Sequence, residues 1–164
     1  MSNILLSPHF KLREFVVSQT ARDHGLDNTP PVEAIENLRA LCIHTLEPLR
    51  NALGLPIVVT SGYRTKALNR LLVYHSNKSQ HMNGEAADFY VDQGPVSGSH
   101  RELLIKAFRQ IILDDSIAFD QCIIYPSFIH VSYVRNGKNR SKLIRGFGNG
   151  KYAALTRTQA LALE

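Results

Sequence analysis

The chain has 164 residues, 44% of them hydrophobic and 20% charged, the balance of a globular protein able to bury a core without staples and not that of a disordered or fibrous one. A formal charge of +5 with a pI of about 9.4 suits an anionic partner such as bacterial cell wall, a nucleic acid or an anionic membrane face, and equally a plain surplus of surface cations. Cys42 and Cys122 lie in apolar runs without CxxC spacing, so they read as reduced core residues and a disulfide framework is not expected.

In chain order, "MSNILLSPHFKLREF" contains an apolar run of only three residues with charges soon after, so neither a signal peptide nor a membrane span is expected. Residues 10–24 read as a short helical lead-in anchored by Phe10, Leu12, Phe15 and Val16. "NTPP" opens the next helix with Thr29 as its cap. A helical period then runs from Val32 to Leu53, with Gly54 as the stop and Pro48 as an internal break, since proline removes a backbone bond and crowds the preceding turn.

"LPIVVTS" reads as a buried strand, "TKALNRLLVYH" (65–75) as a short helix and "AADFYVD" as a second strand. "GPVSGSH" is a loop in which Ser99 and Glu102 form a capping box for "RELLIKAFRQIIL". "DQCIIYP" and "FIHVSYV" form a β-hairpin. A basic tail over about 136–164 carries one last strand at 142–144 and a partly disordered end. The whole is expected to be a single domain over residues 1–164, of α+β class, with a mainly antiparallel β-sheet flanked by helices.

The stretch "SQHMNGEAADFYVD" (79–92) holds the chemistry. His81 and Asp88 flank a segment in which Gly84 permits a turn while Ala86 and Ala87 keep bulk away, so both side chains can approach one ion; the same spacing also suits a simple turn into a strand. A catalytic zinc takes three nitrogen or oxygen ligands and leaves one position open. His130, in the alternating strand "FIHVSYV", is the best third candidate. Arg64 in "TSGYR" stands at the end of a strand, where it can grip a carboxylate in two-pronged fashion or stabilise an oxyanion.

Four motifs in order, "SGYR", "SQHMNGEAADF", "FDQ" and "IHVSY", resemble the zinc D-Ala-D-Ala carboxypeptidase-like peptidases of the M15 group, which share the hedgehog/DD-peptidase fold and include phage endolysins. The N-terminal "HFKLREFVVSQTARDHGLDNTP" and "LEPLRNALGLPIVVTSGYR" are similar to that group as well. The resemblance implies that His81, Asp88 and His130 are zinc ligands, that Arg64 polarises the scissile carbonyl, and that Ser79 shapes the site. Tyr63 and Gln121, from "SGYR" and "FDQ", join Ser79 as substrate-binding candidates.

One part departs from the group's pattern. Relatives often carry an acidic residue three positions before the last histidine ligand, and here that position is Ser127, a poor base at neutral pH. Asp120 is the nearest acidic residue and is named as the general base, with Glu85 as an outside candidate. A two-residue turn at Pro126–Ser127 places Gln121, Ile123 and Tyr125 on the sheet face of His130 and turns Asp120 away.

The resulting expectation is a zinc-dependent metallopeptidase that hydrolyses peptide bonds in bacterial peptidoglycan stem peptides near a D-amino acid. Its alternative is a non-catalytic, zinc-containing module that binds wall peptide. A nucleic-acid partner is not expected, because the chain lacks tryptophan and any cluster of aromatic and basic residues. The protein is expected to be a monomer, made in the cytoplasm without a signal peptide and delivered to the wall by a lysis or export partner.

Overall fold

A computed structural model describes residues 4–73, 76–93 and 98–164. Two short antiparallel strands, β1 (Leu5–Ser7) and β2 (Phe10–Lys11), lead into helices α1 (Leu12–Val16) and α2 (Gln19–Asp23). The expected lead-in is therefore broken in two. Ser18 restarts the helix by accepting the Ala21 N–H at 3.2 Å, while Phe10, Leu12 and Phe15 bury themselves in the core.

Helix α3 (Val32–Leu41) begins two residues later than its expected cap allows. Its N-cap is Pro31, whereas the Thr29 N–H bonds to Asp27 Oδ1 at 2.8 Å. The cause is the proline pair: each proline pushes the residue before it out of the helical region, so no helix can start until both have passed. A π-helical turn (Cys42–Leu46) then absorbs Pro48, which enters in the first turn of α4 (Glu47–Leu53). The His44 carbonyl that Pro48 cannot serve accepts the Ala118 N–H at 3.0 Å. Gly54 ends α4 with a φ of +64°, a conformation that glycine takes without steric cost.

The remaining elements are β3 (Ile57–Ser61), α5 (Lys66–Arg70), β4 (Ala86–Val91), α6 (His100–Leu113), β5 (Gln121–Ile124), β6 (Ile129–Ser132), β7 (Lys142–Gly146), β8 (Tyr152–Leu155) and α7 (Arg157–Leu161). Ser99 and Glu102 form the expected capping box of α6. Helix α5 is shorter than the 65–75 expected, and residues 74–75 of that stretch, like 94–97 of "GPVSGSH", lie outside the described residues. The segment read as a basic tail carries β7, β8 and α7, with Ala160 fully buried.

Six strands form one sheet in the order β3-β4-β6-β5-β7-β8, antiparallel except for the parallel pair β5–β7. The protein is thus α+β with a mainly antiparallel sheet. Strand β3 is an edge strand with Thr60 exposed, not the fully buried strand its β-branched run suggested. Side chains alternate across the sheet. Ala87, Phe89, Val91, Cys122, Ile124, Ile129 and Val131 enter the core with α3, α4 and α6. The opposite face carries Asp88, Gln121, Ile123 and His130, and it forms one wall of a cleft of about 670 Å³. Among the described residues no helix is long and apolar enough to cross a membrane.

Candidate metal centre

Asp88 and His130 are paired directly across the antiparallel β4–β6 ladder, the arrangement that brings two side chains on one face closest together. His81 arrives from a 3₁₀ turn (Gln80–Asn83) that ends in Gly84 at φ +71°. A side chain on Gly84 would collide with the Ala34 carbonyl of α3, so glycine both turns the chain and lets it lie against that helix. The loop is further held by Asn37, whose amide donates to the Asn83 carbonyl at 2.9 Å.

These three residues converge. His130 Nδ1 lies 2.8 Å from Asp88 Oδ1 and 3.2 Å from His81 Nε2, and His81 Nε2 lies 3.3 Å from Asp88 Oδ1. Two ligands bound tetrahedrally at roughly 2.0–2.1 Å from zinc stand about 3.3 Å apart. The donor set, two imidazole nitrogens and one carboxylate oxygen, therefore fits a metal ion in chemistry and in spacing. They are the one such cluster among the described residues.

The surroundings suit the same reading. His81 is almost wholly buried, and its Nδ1 donates to the Gly62 carbonyl at 2.6 Å, which leaves the Nε2 lone pair free for a metal. Burial lowers the His81 imidazole below its ordinary value, against the pull of Asp88, which favours the neutral ring that a metal ligand requires. Burial works against the Asp88 charge, but the contacts with His81 and His130 outweigh it and hold the carboxyl well below the ordinary carboxylate range.

Arg64 reaches the centre from the loop after β3. A bulge in the β3–β4 register sets Ser61 opposite Asp88, and such bulges re-aim side chains. Arg64 Nη2 donates to Asp88 Oδ2 at 3.0 Å and Nε to Ser61 Oγ at 3.1 Å, while the Arg64 backbone N–H binds the His81 carbonyl at 3.1 Å. The guanidinium thus holds the carboxylate oxygen that faces away from the histidines, and it lines the cleft.

The other sequence candidates divide. Ser79 and Gln121 line the cleft beside His81, Asp88 and His130. Tyr63 does not; it is buried and lines a smaller hollow with Val17 and Thr20. Tyr125 N–H bonds to the Phe128 carbonyl at 2.9 Å, so the hairpin turn is the two-residue one, and Gln121, Ile123 and Tyr125 share the face of His130. Ser127 is exposed in that turn.

Asp120 is 1% exposed. Its Oδ1 accepts from Arg140 N–H at 3.0 Å and Nε at 2.8 Å, and its Oδ2 accepts from Arg140 Nη2 and from Gln80 Nε2 at 3.1 Å. Burial raises the Asp120 carboxyl, but the bonds from Arg140 and Gln80 outweigh it and keep the group below its ordinary value. Glu85 meets the Asn83 amide at 3.3 Å.

Sequence reasoning missed Gln80, Arg140, Ile144 and Tyr152, all of which line the cleft, as does Phe128 from the face of β6 that alternation assigns to His130. Gln80 stands inside the recognised motif, next to His81. Nothing local marks the other three, because they arrive through a parallel strand pairing.

Residues 8–132 match the family described as Peptidase M15, and the chain belongs to that family of metallopeptidases. The match ends at the last residue of β6. No curated protein matches the chain.

Proposed function

We propose that this M15 peptidase is a zinc enzyme that hydrolyses stem peptides of bacterial peptidoglycan beside a D-amino acid. The observation that carries the reading is the meeting of His81, Asp88 and His130 at ligand distances, with Arg64 on the same carboxylate. Bound there, zinc supplies a Lewis acid and lowers the pKa of water.

The chain's own residues supply the rest. His81, Asp88 and His130 hold the ion, and the bond from His81 to the Gly62 carbonyl fixes its ring. Arg64 lines the cleft, and its N–H groups not bound to Asp88 or Ser61 stabilise the charge that develops on the scissile carbonyl oxygen. Ser79 and Gln121 orient the peptide, and Tyr63 shapes the loop that carries Arg64 from behind, its carbonyl accepting the Asn28 amide at 3.0 Å.

Asp120 is the proposed proton acceptor, reached from the cleft when Gln80, whose Nε2 donates to Asp120 Oδ2 at 3.1 Å, swings aside. It stays ionised, and taking a proton requires it to give up a bond from Arg140 or Gln80. The positive charge of the chain favours an anionic wall. The protein acts as a monomer, without a nucleic-acid partner, and reaches the wall with a lysis or export partner.

One observation favours a second reading, a metal-holding module that binds wall peptide without cutting it. Asp88 is the only carboxylate among the described residues that line the cleft. Digestion of purified peptidoglycan by the protein as isolated, chelator-treated and zinc-restored decides between them. Zinc-dependent release of D-alanine or of new amino groups is the expected result; tight zinc with no product from several wall chemistries makes the binding module correct.

A further inference from the structure

The charge of this protein is concentrated where the family match stops. Residues 133–164 hold seven lysines and arginines against one glutamate, a net +6, whereas residues 1–132 hold twelve against thirteen acidic residues, a net −1. This segment is built into the fold. Strand β7 runs parallel to β5 with Gln121 opposite Lys142 and Ile123 opposite Ile144, and β8 closes the sheet beside it. Leu143 and Leu155 pack against the core. Alternation therefore turns Lys142, Ile144 and Gly146 to the face that carries Gln121, Ile123 and His130. Gly146 is required there, because a side chain at that position would strike the Tyr125 ring.

The segment lengthens the cleft. From β6, which holds His130, the open face continues across β5 and β7 to β8, three interstrand spacings or about 14 Å, the length of about four extended residues. Tyr125 and Tyr152 give it an aromatic floor, their rings 6.2 Å apart at 79° and their hydroxyls 3.2 Å apart. Lys78 and Arg140 line its rim, and Lys142 stands exposed on the same face. Arg140 is committed to Asp120 through Nε and Nη2. No hydrogen bond or ion pair engages the Lys78 or Lys142 ammonium among the described residues. The face is thus aromatic at one end, where Tyr152 stands opposite Gly146, and cationic at the other, where Lys142 stands opposite Gln121, which matches an extended peptide with a negative charge away from the bond that is cut.

We propose that residues 133–164 are the substrate-reading wall of the cleft, and that Lys78 and Lys142, beside Arg140, bind a carboxylate carried by the peptide two to four residues from the scissile bond. This rests on the peptidase reading above, and it adds a specificity element that joins Lys78, inside the family match, to Arg140 and Lys142 beyond it. Contacts of this kind are charge-assisted and salt-sensitive.

The test uses L-Ala-γ-D-Glu-L-Lys-D-Ala-D-Ala with the D-glutamyl α-carboxyl either free or amidated, its last amide N-methylated to prevent cleavage, titrated calorimetrically into the zinc-loaded protein. The free acid should bind at least about tenfold tighter than the amide at low salt, with the gap closing as salt rises. In Lys78→Ser/Lys142→Ser the two forms should bind alike, and Lys142→Glu should reverse the preference. Equal binding of both forms to the wild type, or a gap that survives in the double variant, overturns the proposal. A charge-dependent gap with no turnover of the unmethylated peptide would retain the carboxylate site and count against the peptidase reading.

Discussion

His130 Nδ1 lies 2.8 Å from Asp88 Oδ1, across a β4–β6 ladder in which the two residues are direct partners. The candidate metal centre is thus anchored on the middle of the sheet, and only His81 depends on a loop. That asymmetry sets where the site is robust and where it is vulnerable.

The vulnerable point is Gly84. Gly84→Ala forces a left-handed conformation on alanine, at about 1–2 kcal/mol, and drives its methyl group into the Ala34 carbonyl. The variant should lose more than about 2 kcal/mol and melt several degrees lower. It should also bind zinc more weakly, because His81 is displaced. Calorimetric melting with and without zinc reads both effects, and an unchanged melting temperature would show that the turn is not held against α3.

Arg64→Lys keeps a positive charge but cannot bridge Asp88 and Ser61 as the fork does. Zinc content should stay at the wild-type level while kcat falls by about 10²–10³-fold, the usual cost of losing an oxyanion donor. Loss of zinc in parallel with activity would make Arg64 a support for Asp88 and nothing more.

Asp120 connects three segments: Gln80 beside His81, the start of β5, and Arg140 beyond the family match. Asp120→Asn should cost about 2 kcal/mol, less than a fully buried pair because Arg140 is half-exposed. The Asp120 carboxyl is held below its ordinary value in the folded protein. Its contribution is therefore complete above the unfolded value of about 4 and is lost as pH falls through the folded value. As pH falls below about 4 the wild type should lose stability more steeply than Asp120→Asn. If Asp120 is the base, turnover by the variant also collapses at neutral pH while its zinc is retained; a stability loss with turnover intact leaves it a purely structural link.

Much of this site was legible because its signals are local. The two-residue turn at Pro126–Ser127 and the alternation in "FIHVSYV" place Gln121, Ile123 and His130 on one face, and "SQHMNGEAAD" carries two of the three candidate ligands with the glycine their approach needs. Capping by Ser99 and the stop at Gly54 follow from side-chain and backbone chemistry that acts within a few residues. What stayed hidden depends on long-range contacts. Thr29 lost its cap role to two prolines, whose joint effect outweighs a single capping oxygen. Tyr63 is pulled into the core, and "IVVTS" becomes an edge, because burial depends on which strands lie alongside. Arg140 and Tyr152 reach the cleft only through the parallel β5–β7 pairing, which leaves no periodic trace in "RNGKNRSKLIRG".

The most direct test of the central claim is zinc stoichiometry, measured by elemental analysis on folded wild type and on His81→Ala and His130→Ala separately. One zinc per chain in the wild type, falling toward zero in each variant with the fold retained, is the predicted result. Full zinc in either folded variant would mean that the ion is held elsewhere, and the site built on Asp88 and its two histidines would be wrong.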